Sequence, residues 1–169
     1  MIDAARMYVN YVKERQEELS AEMLVEHQFD CHEINENIWG TADMTLIGED
    51  RLVIIDLKAG RYPVENNGNN LQLRIYGLMA LARYSDKKYV EMVVVQPRAN
   101  HKDGPIRSST LKSEDLAHWG FEWLKPAAEK CLEENPEFVA GKHCFFCNYK
   151  PECEEHANYK KQSEVNNEQ

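Results

Sequence analysis

Two short apolar segments separated by a tight-turn sequence constrain the fold of this chain most strongly. Met44-Thr-Leu-Ile47 and Leu52-Val-Ile-Ile55 have the composition of β-strands, and Gly48-Glu-Asp50 between them is typical of a turn. The pattern predicts two antiparallel neighbouring strands. Asp43 and Asp56 stand at or beside the outer ends of these strands, so the hairpin would bring two carboxylates together.

The rest of the chain predicts further elements around this hairpin. Periodicity and turn residues predict helices over 2–20, 71–84 and 113–134, and strands over 23–29, 89–96 and 106–111, the last at a sheet edge. Ser113 is the expected N-cap of the third helix, and Pro126 predicts a kink or break within it. Trp119 and Trp123, four residues apart on this helix, are interpreted as core residues rather than a base-stacking surface. The predicted fold class is α/β, with a mixed central sheet flanked by helices.

Residues that follow the hairpin extend its polar end. Two carboxylates on adjacent strands can hold a hard divalent cation through oxygen. Lys58 lies two residues after Asp56 and shares its face of the strand, so an ammonium would stand beside the cation. Gln72 and Tyr76, four residues apart, share one face of the following helix. A metal ion with a neighbouring ammonium suits the activation of water and the stabilisation of a phosphodiester transition state.

These motifs resemble those of the PD-(D/E)xK nuclease superfamily, in the branch that contains RecB-type nuclease domains, Cas4 and phage exonuclease-like proteins. The resemblance rests on Gly40-Thr-Ala-Asp43, Asp56-Leu-Lys58 and Gln72-Leu-Arg-Ile-Tyr76 in that order. Residues 23–153, including Val94-Val-Gln-Pro-Arg98 and the terminal cysteines, also resemble the phage-associated family DUF2800. The resemblance implies a restriction-endonuclease-like core.

The resemblance implies a deoxyribonuclease that depends on Mg²⁺ or Mn²⁺, an exonuclease of phage replication or recombination. Asp43, Asp56 and the carbonyl of Leu57 would bind the metal, while Lys58 would orient or help deprotonate the attacking water. Gln72 and Tyr76 would position the scissile strand or Lys58. The alternative is a DNA-binding or assembly module that keeps the fold and has lost catalysis. DNA is the expected partner in either case, together with phage replication or recombination proteins, and related exonucleases that form rings suggest a homo-oligomer.

One ligand of that branch is missing from its usual place. RecB-like proteins carry a histidine on an early helix, whereas the first histidine here is His27, on the predicted first strand. Glu26 beside it could supply the missing ligand, and a solvent-facing carboxylate is the equally good alternative.

The C-terminal region contains a second candidate metal site. Cys144, Cys147 and Cys153 form a C-x₂-C-x₅-C array, a spacing that suits metal binding from a tight loop. The resemblance to Cas4 implies a structural 4Fe–4S cluster with one distant cysteine, for which Cys31 is the best candidate. Zinc, with His143 or His156, is the alternative, and Cys131 is interpreted as a core thiol.

Charge and length bound the remaining possibilities. The net charge of −9 disfavours indiscriminate nucleic-acid binding, although basic and acidic residues nearly balance over 40–98. Arg61 and Arg74 flank the proposed cleft and are the candidate DNA contacts. The chain of 169 residues predicts a single domain over 1–158, with the cysteine loop at 141–153 and a disordered polar tail at 159–169. The sequence predicts no membrane segment and a cytoplasmic protein of a bacterium or phage-infected cell.

Overall fold

The computed structural model describes residues 2–64 and 68–166, which divide into two compact units, Met1–Ala128 and Glu129–Gln169. The predicted division into a domain over 1–158 and a tail over 159–169 stays a prediction. Within the described residues no helix is both long and apolar enough to span a bilayer.

The first unit is a five-stranded mixed sheet with helices on both faces, which confirms the predicted α/β class. Its elements in chain order are α1 (Ile2–Leu19), β1 (Glu22–Asp30), β2 (Trp39–Ile47), β3 (Arg51–Leu57), α2 (Leu71–Arg83), β4 (Tyr89–Val95), β5 (Ile106–Lys112) and α3 (Ser113–Trp119). The strands lie in the order β1-β2-β3-β4-β5, and only β3 and β4 run parallel. The crossover through α2 makes that parallel pair possible, because parallel neighbours cannot be joined by a tight turn.

Strands β3 and β4 bury both of their faces. Side chains alternate across a strand, so Leu52 and Ile54 join one apolar cluster while Val53 and Ile55 join the other. The first cluster lies against α2 and α3, and the second lies against α1. The near-continuous apolar runs of the two central strands follow from this double burial.

The predicted third helix is divided into three segments. After α3 comes a π-helical turn, Gly120–Leu124, and then α4 (Lys125–Cys131). Pro126 lies in the first turn of α4, where its missing N–H is tolerated, and the predicted break appears as the π-helical turn just before it. The predicted N-cap was wrong by one residue: Lys112 occupies that position, and Ser113 is the first residue of α3.

Two core assignments were also wrong. Trp123 is 48% exposed within the π-helical turn, so its assignment to the core was wrong, whereas Trp119 is half-buried and packs against the first apolar cluster. Cys131 is exposed at the last residue of α4.

The second unit contains a 3₁₀ helix, Lys142–Phe146, and helix α5 (Glu154–Asn166). Cys144 lies within the 3₁₀ helix, Cys147 directly follows it, and Cys153 directly precedes α5. Helix α5 includes residues 159–166, for which the sequence predicted a disordered tail.

Candidate active site at the polar end of the central strands

Three acidic residues fall in one row across β1, β2 and β3. The β1–β2 ladder pairs Val25 with Met44 and His27 with Ala42, so Glu26 and Asp43 are opposite one another. The β2–β3 ladder ends with Met44 opposite Ile55, and the next positions are Asp43 and Asp56. Adjacent strands lie about 5 Å apart, so the backbone of Glu26 is roughly 5 Å from Asp43 and about 10 Å from Asp56.

The ladder is distorted at this row. Glu26 has φ of 47°, in the left-handed region that non-glycine residues rarely occupy. Neither Glu26 nor Asp43 is paired in the ladder, although the residues on both sides of them are. Strained backbone of this kind costs about 1–3 kcal/mol and is concentrated at functional sites. The distortion frees both carboxylates from the regular alternation of the strand.

Asp43 and Asp56 have different surroundings. One carboxylate oxygen of Asp43, Oδ2, accepts a hydrogen bond of 3.0 Å from the backbone N–H of Leu57, which ties the end of β2 to the end of β3. Asp56 is only 3% exposed, and burial raises the pKa of its carboxyl. The charge of Asp43 raises that pKa further, whereas the ammonium of Lys58 acts in the opposite direction.

Lys58 connects the strand carboxylates to α2. Its Nζ lies 3.0 Å from Oδ2 of Asp56 and donates a hydrogen bond of 2.7 Å to Oε1 of Gln72. The approach to Asp56 is outside hydrogen-bonding geometry, so this buried Oδ2 has no hydrogen-bond partner among the described residues. Gln72 in turn donates from Nε2 to the hydroxyl of Tyr76 at 3.2 Å. The five predicted site residues are therefore brought together.

Local structure explains why α2 presents these groups. Asn70 caps the helix by accepting a hydrogen bond from the N–H of Leu73, which fixes Gln72 in the first turn. The Tyr76 ring lies against the backbone of Gly40, where an added Cβ would be 3.0 Å from Cε1 of the ring. Gly40 is thus the residue that lets the tyrosine approach β2.

Tyr8 on α1 belongs to the same neighbourhood, and the sequence reasoning missed it. Burial raises the pKa of its phenol, and the charges of Asp43, Asp56 and Glu26 raise it further. Its ring packs against the apolar cluster that contains Met44. Helical periodicity could not reveal this proximity, because it shows only which residues share a face of α1 and not which strands that face meets.

Gln96 is a second residue that the site reasoning missed. It is fully buried and holds the segment that follows Lys58. Its Oε1 accepts from the N–H of Val64 at 3.1 Å, and its Nε2 donates to the carbonyls of Gly60 at 3.1 Å and Tyr62 at 2.8 Å. A polar residue at the end of an otherwise apolar strand was the available signal.

The two candidate DNA-binding arginines differ in their environment. Arg61 is exposed in the segment after β3. Arg74 donates from Nε to the carbonyl of Gly68, and its guanidinium carbon lies 5.2 Å from the ring centroid of Trp119. Arg74 therefore also orders the start of α2.

The carboxylates suit a hard cation by their chemistry. A buried Oδ2 without a hydrogen-bond partner on Asp56, next to Asp43, offers oxygen ligands of the kind that Mg²⁺ and Mn²⁺ prefer. Among residues 2–64 and 68–166, however, no three His, Cys, Asp or Glu side chains are gathered closely enough to hold a metal. Glu26 is exposed and does not complete such a group as it stands.

The cysteine array shows only part of a site. In the second unit Cys144 is buried and its Sγ accepts a hydrogen bond of 3.4 Å from the N–H of Gly141, while Cys147 is exposed and Cys153 half-buried. In the first unit Cys31 is 2% exposed, and burial raises the pKa of its thiol, which disfavours the thiolate that a metal requires. The cysteines of the array are not gathered in this structure, so no ligand geometry is assigned to them.

The fold and site define a mixed α/β protein with an acidic and lysine-containing site at one end of its central strands. The family model described as "Protein of unknown function (DUF2800)" matches residues 1–169, and the chain belongs to that family. A solved structure described as "Crystal structure of SSO0001" is 16% identical to this chain, with a TM-score of 0.44. The match covers 90% of this chain and 69% of that one.

Proposed function

We propose that this protein is a metal-dependent deoxyribonuclease that hydrolyses phosphodiester bonds. The observation that carries the proposal is the continuous set of contacts from Asp43 and Asp56 through Lys58 to Gln72 and Tyr76. A simple ion pair at a strand end would not require a carboxylate that is only 3% exposed, nor a lysine fixed by a glutamine from a different element.

Each residue has a distinct part in the proposed reaction. A bound Mg²⁺ or Mn²⁺ supplies Lewis-acid activation of water and neutralises phosphate charge. Asp43 and Asp56 would hold the cation through oxygen, with the carbonyl of Leu57 as a further ligand. Lys58 orients the attacking water and stabilises the negative charge that develops on the phosphoryl oxygens.

The second-helix residues act through Lys58. The 2.7 Å hydrogen bond to Gln72 fixes the direction of the ammonium, and the contact with Tyr76 fixes Gln72. Gln72 is exposed and Tyr76 is half-buried, so a ligand can reach both side chains from solvent. In this proposal they also contact the scissile strand.

The distorted row offers a third carboxylate. Glu26 lies opposite Asp43, and its exposed side chain can reach toward the cation without a change in the core. We expect Glu26→Gln to weaken activation by Mn²⁺, whereas Glu22→Gln, an exposed neighbour on the same strand, leaves it unchanged.

The proposal also includes more specific assignments of fold, activity and location. They comprise a restriction-endonuclease-like core, exonuclease action in phage replication or recombination, a cytoplasmic location and self-association. Iron–sulfur or zinc binding by Cys144, Cys147 and Cys153 is supported by their spacing, and such sites commonly assemble only with the metal. Cys31 is the proposed fourth ligand, although its burial disfavours the thiolate that binds a metal.

An inactive DNA-binding module is the second candidate. It is favoured by the engagement of Asp43 with the Leu57 N–H and by the lack of a three-carboxylate group among the described residues. This alternative predicts DNA binding that neither requires a divalent cation nor leads to cleavage.

The test is digestion of end-labelled single- and double-stranded DNA in Mg²⁺, Mn²⁺ or EDTA. We expect Lys58→Ala to lower the rate at least about 100-fold, which is the size of a typical loss of acid–base or charge-stabilising catalysis. Lys102→Ala removes an exposed lysine of the same unit and serves as the matched control. Equal rates for wild type and Lys58→Ala would contradict the proposal, and intact DNA with retained binding would establish the inactive module.

A further inference from the structure

Two tryptophans form an ordered stack on the surface of the first unit. The ring centroids of Trp119 and Trp123 are 5.5 Å apart, and their planes differ by 18°. Trp123 nevertheless leaves 48% of its surface exposed. An apolar ring that is held in place but left open to water forgoes part of the stabilisation that its burial would provide.

A cation lies at the inner end of this stack. The guanidinium carbon of Arg74 is 5.2 Å from the centroid of the Trp119 ring. The hydrogen bonds of Arg74 are to the carbonyl of Gly68 and the amide oxygen of Asn69, and among the described residues no carboxylate forms an ion pair with it. Its positive charge is therefore available to an anionic ligand beside an aromatic surface.

The backbone around the stack is specialised. Trp123 lies within the π-helical turn Gly120–Leu124, and single π-helical turns occur frequently at functional sites. A Cβ added at Gly120 would be 2.6 Å from Cδ2 of Leu78, so a larger residue there would require the buried Leu78 side chain to move.

The stack and the proposed active site both lie against the first turns of α2. Arg74 follows Gln72 by two residues, which is about 3 Å along the helix axis but about 200° around it, so the two side chains point to different faces. Gln72 holds Lys58 directly. The stack is therefore a surface separate from that of the site residues, and it can be tested by binding alone.

We propose that Trp123 is a stacking platform for an unpaired base of single-stranded DNA, and that Arg74 is the cation that attracts its backbone. The assignment rests on the proposed nuclease function for the kind of ligand. An unpaired base offers a free π-face, whereas bases in a duplex are already stacked on each other, and stacking on aromatic rings is tolerant of sequence. A flat aromatic surface beside a guanidinium matches this chemistry.

The test measures the anisotropy of fluorescein-labelled oligo-dT in EDTA, so that no cleavage interferes. Trp123→Ala should weaken binding about tenfold, within the range for loss of one stacking interaction, and Trp123→Phe should restore most of it. Phe121→Ala is the matched control, because Phe121 is 49% exposed in the same helical turn and lies outside the stack. Thermal unfolding of each variant establishes that the fold is retained.

An abasic oligomer separates stacking from simple charge attraction. Wild type should bind the abasic oligomer as weakly as Trp123→Ala binds oligo-dT. A blunt duplex should bind equally well to wild type and Trp123→Ala. Unchanged oligo-dT binding by Trp123→Ala, or equal losses of affinity for oligo-dT and for the duplex, would overturn the platform. A change in oligomeric state without a change in oligo-dT binding would also overturn it, by showing that the ring contacts protein.

The outcome is independent of catalysis. Binding that depends on Trp123 together with no cleavage in Mn²⁺ would remove the nuclease proposal and leave the platform. Cleavage that depends on Lys58 together with binding that does not depend on Trp123 would have the opposite consequence.

Discussion

Replacement of Gln96 by leucine should loosen the segment that follows Lys58. The glutamine accepts hydrogen bonds from Val64 N–H at 3.1 Å and from Arg107 Nη2 at 2.8 Å, and it donates to the carbonyls of Gly60 and Tyr62. Leucine fills a similar volume and makes none of these four bonds. The variant therefore separates the loss of hydrogen bonds from the loss of packing.

The size of the effect follows from these four contacts. Each hydrogen bond contributes about 1 kcal/mol net, so Gln96→Leu should lower the free energy of unfolding by about 2–4 kcal/mol. The lower part of the range applies if water reaches the freed groups of the surface segment. Urea denaturation gives this difference directly, and an unchanged m-value would show that the variant unfolds in the same transition.

A second measurement locates the effect. Arg61 is exposed within the clamped segment, so trypsin should cut after it faster in Gln96→Leu than in wild type. Gln28→Leu, at an exposed glutamine of β1, is the control and should change neither stability nor this cut by much. A loss of less than about 1 kcal/mol with an unchanged rate of cutting would refute the clamp.

Three further predictions follow from burial and packing. Folding raises the pKa of the Asp56 carboxyl above its value in the unfolded chain. The native state is therefore most favoured below the unfolded pKa and loses stability as the pH rises from there through the folded pKa. Asp56→Asn removes the buried charge and should therefore raise the melting temperature at pH 7 in EDTA; a lower melting temperature would contradict this. Addition of Mn²⁺ should raise the melting temperature of wild type but not of Asp43→Asn, and equal shifts would argue against a cation between the strands. Gly77→Ala places a Cβ 2.8 Å from Cγ1 of Val90 and should cost about 1–3 kcal/mol in urea denaturation, unlike Gly60→Ala, whose Cβ meets nothing within 4 Å.

The fold was largely predictable because its strands differ clearly in pattern. The sequence Gly48-Glu-Asp50 favoured a turn between antiparallel strands. The apolar run Met92-Val-Val-Val95 favoured a strand buried on both faces. The proximity of Asp56 and Lys58 was predicted from their shared face of the strand, and the contact of Gln72 with Lys58 was expected from the resemblance. Local rules were sufficient where neighbours in sequence decide the conformation.

Features set by distant contacts could not be predicted. The positive φ of Glu26 depends on the distorted row, and the place of Gly40 depends on a tyrosine ring from α2. Four-residue spacing gave Trp119 and Trp123 an apparent core face, but the π-helical turn alters the direction of Trp123. Such turns depend on packing and leave little trace in hydrophobic periodicity.

The most direct measurement of the central claim is the rate at which purified wild type and Asp56→Asn digest end-labelled DNA with Mn²⁺. The buried carboxylate lies next to Lys58 at 3.0 Å, and its neutral analogue keeps the shape of the site. We predict cleavage by wild type that EDTA abolishes, and a loss of at least about 100-fold in the folded variant. DNA left intact by wild type, or cleaved equally fast by both proteins, would contradict the account.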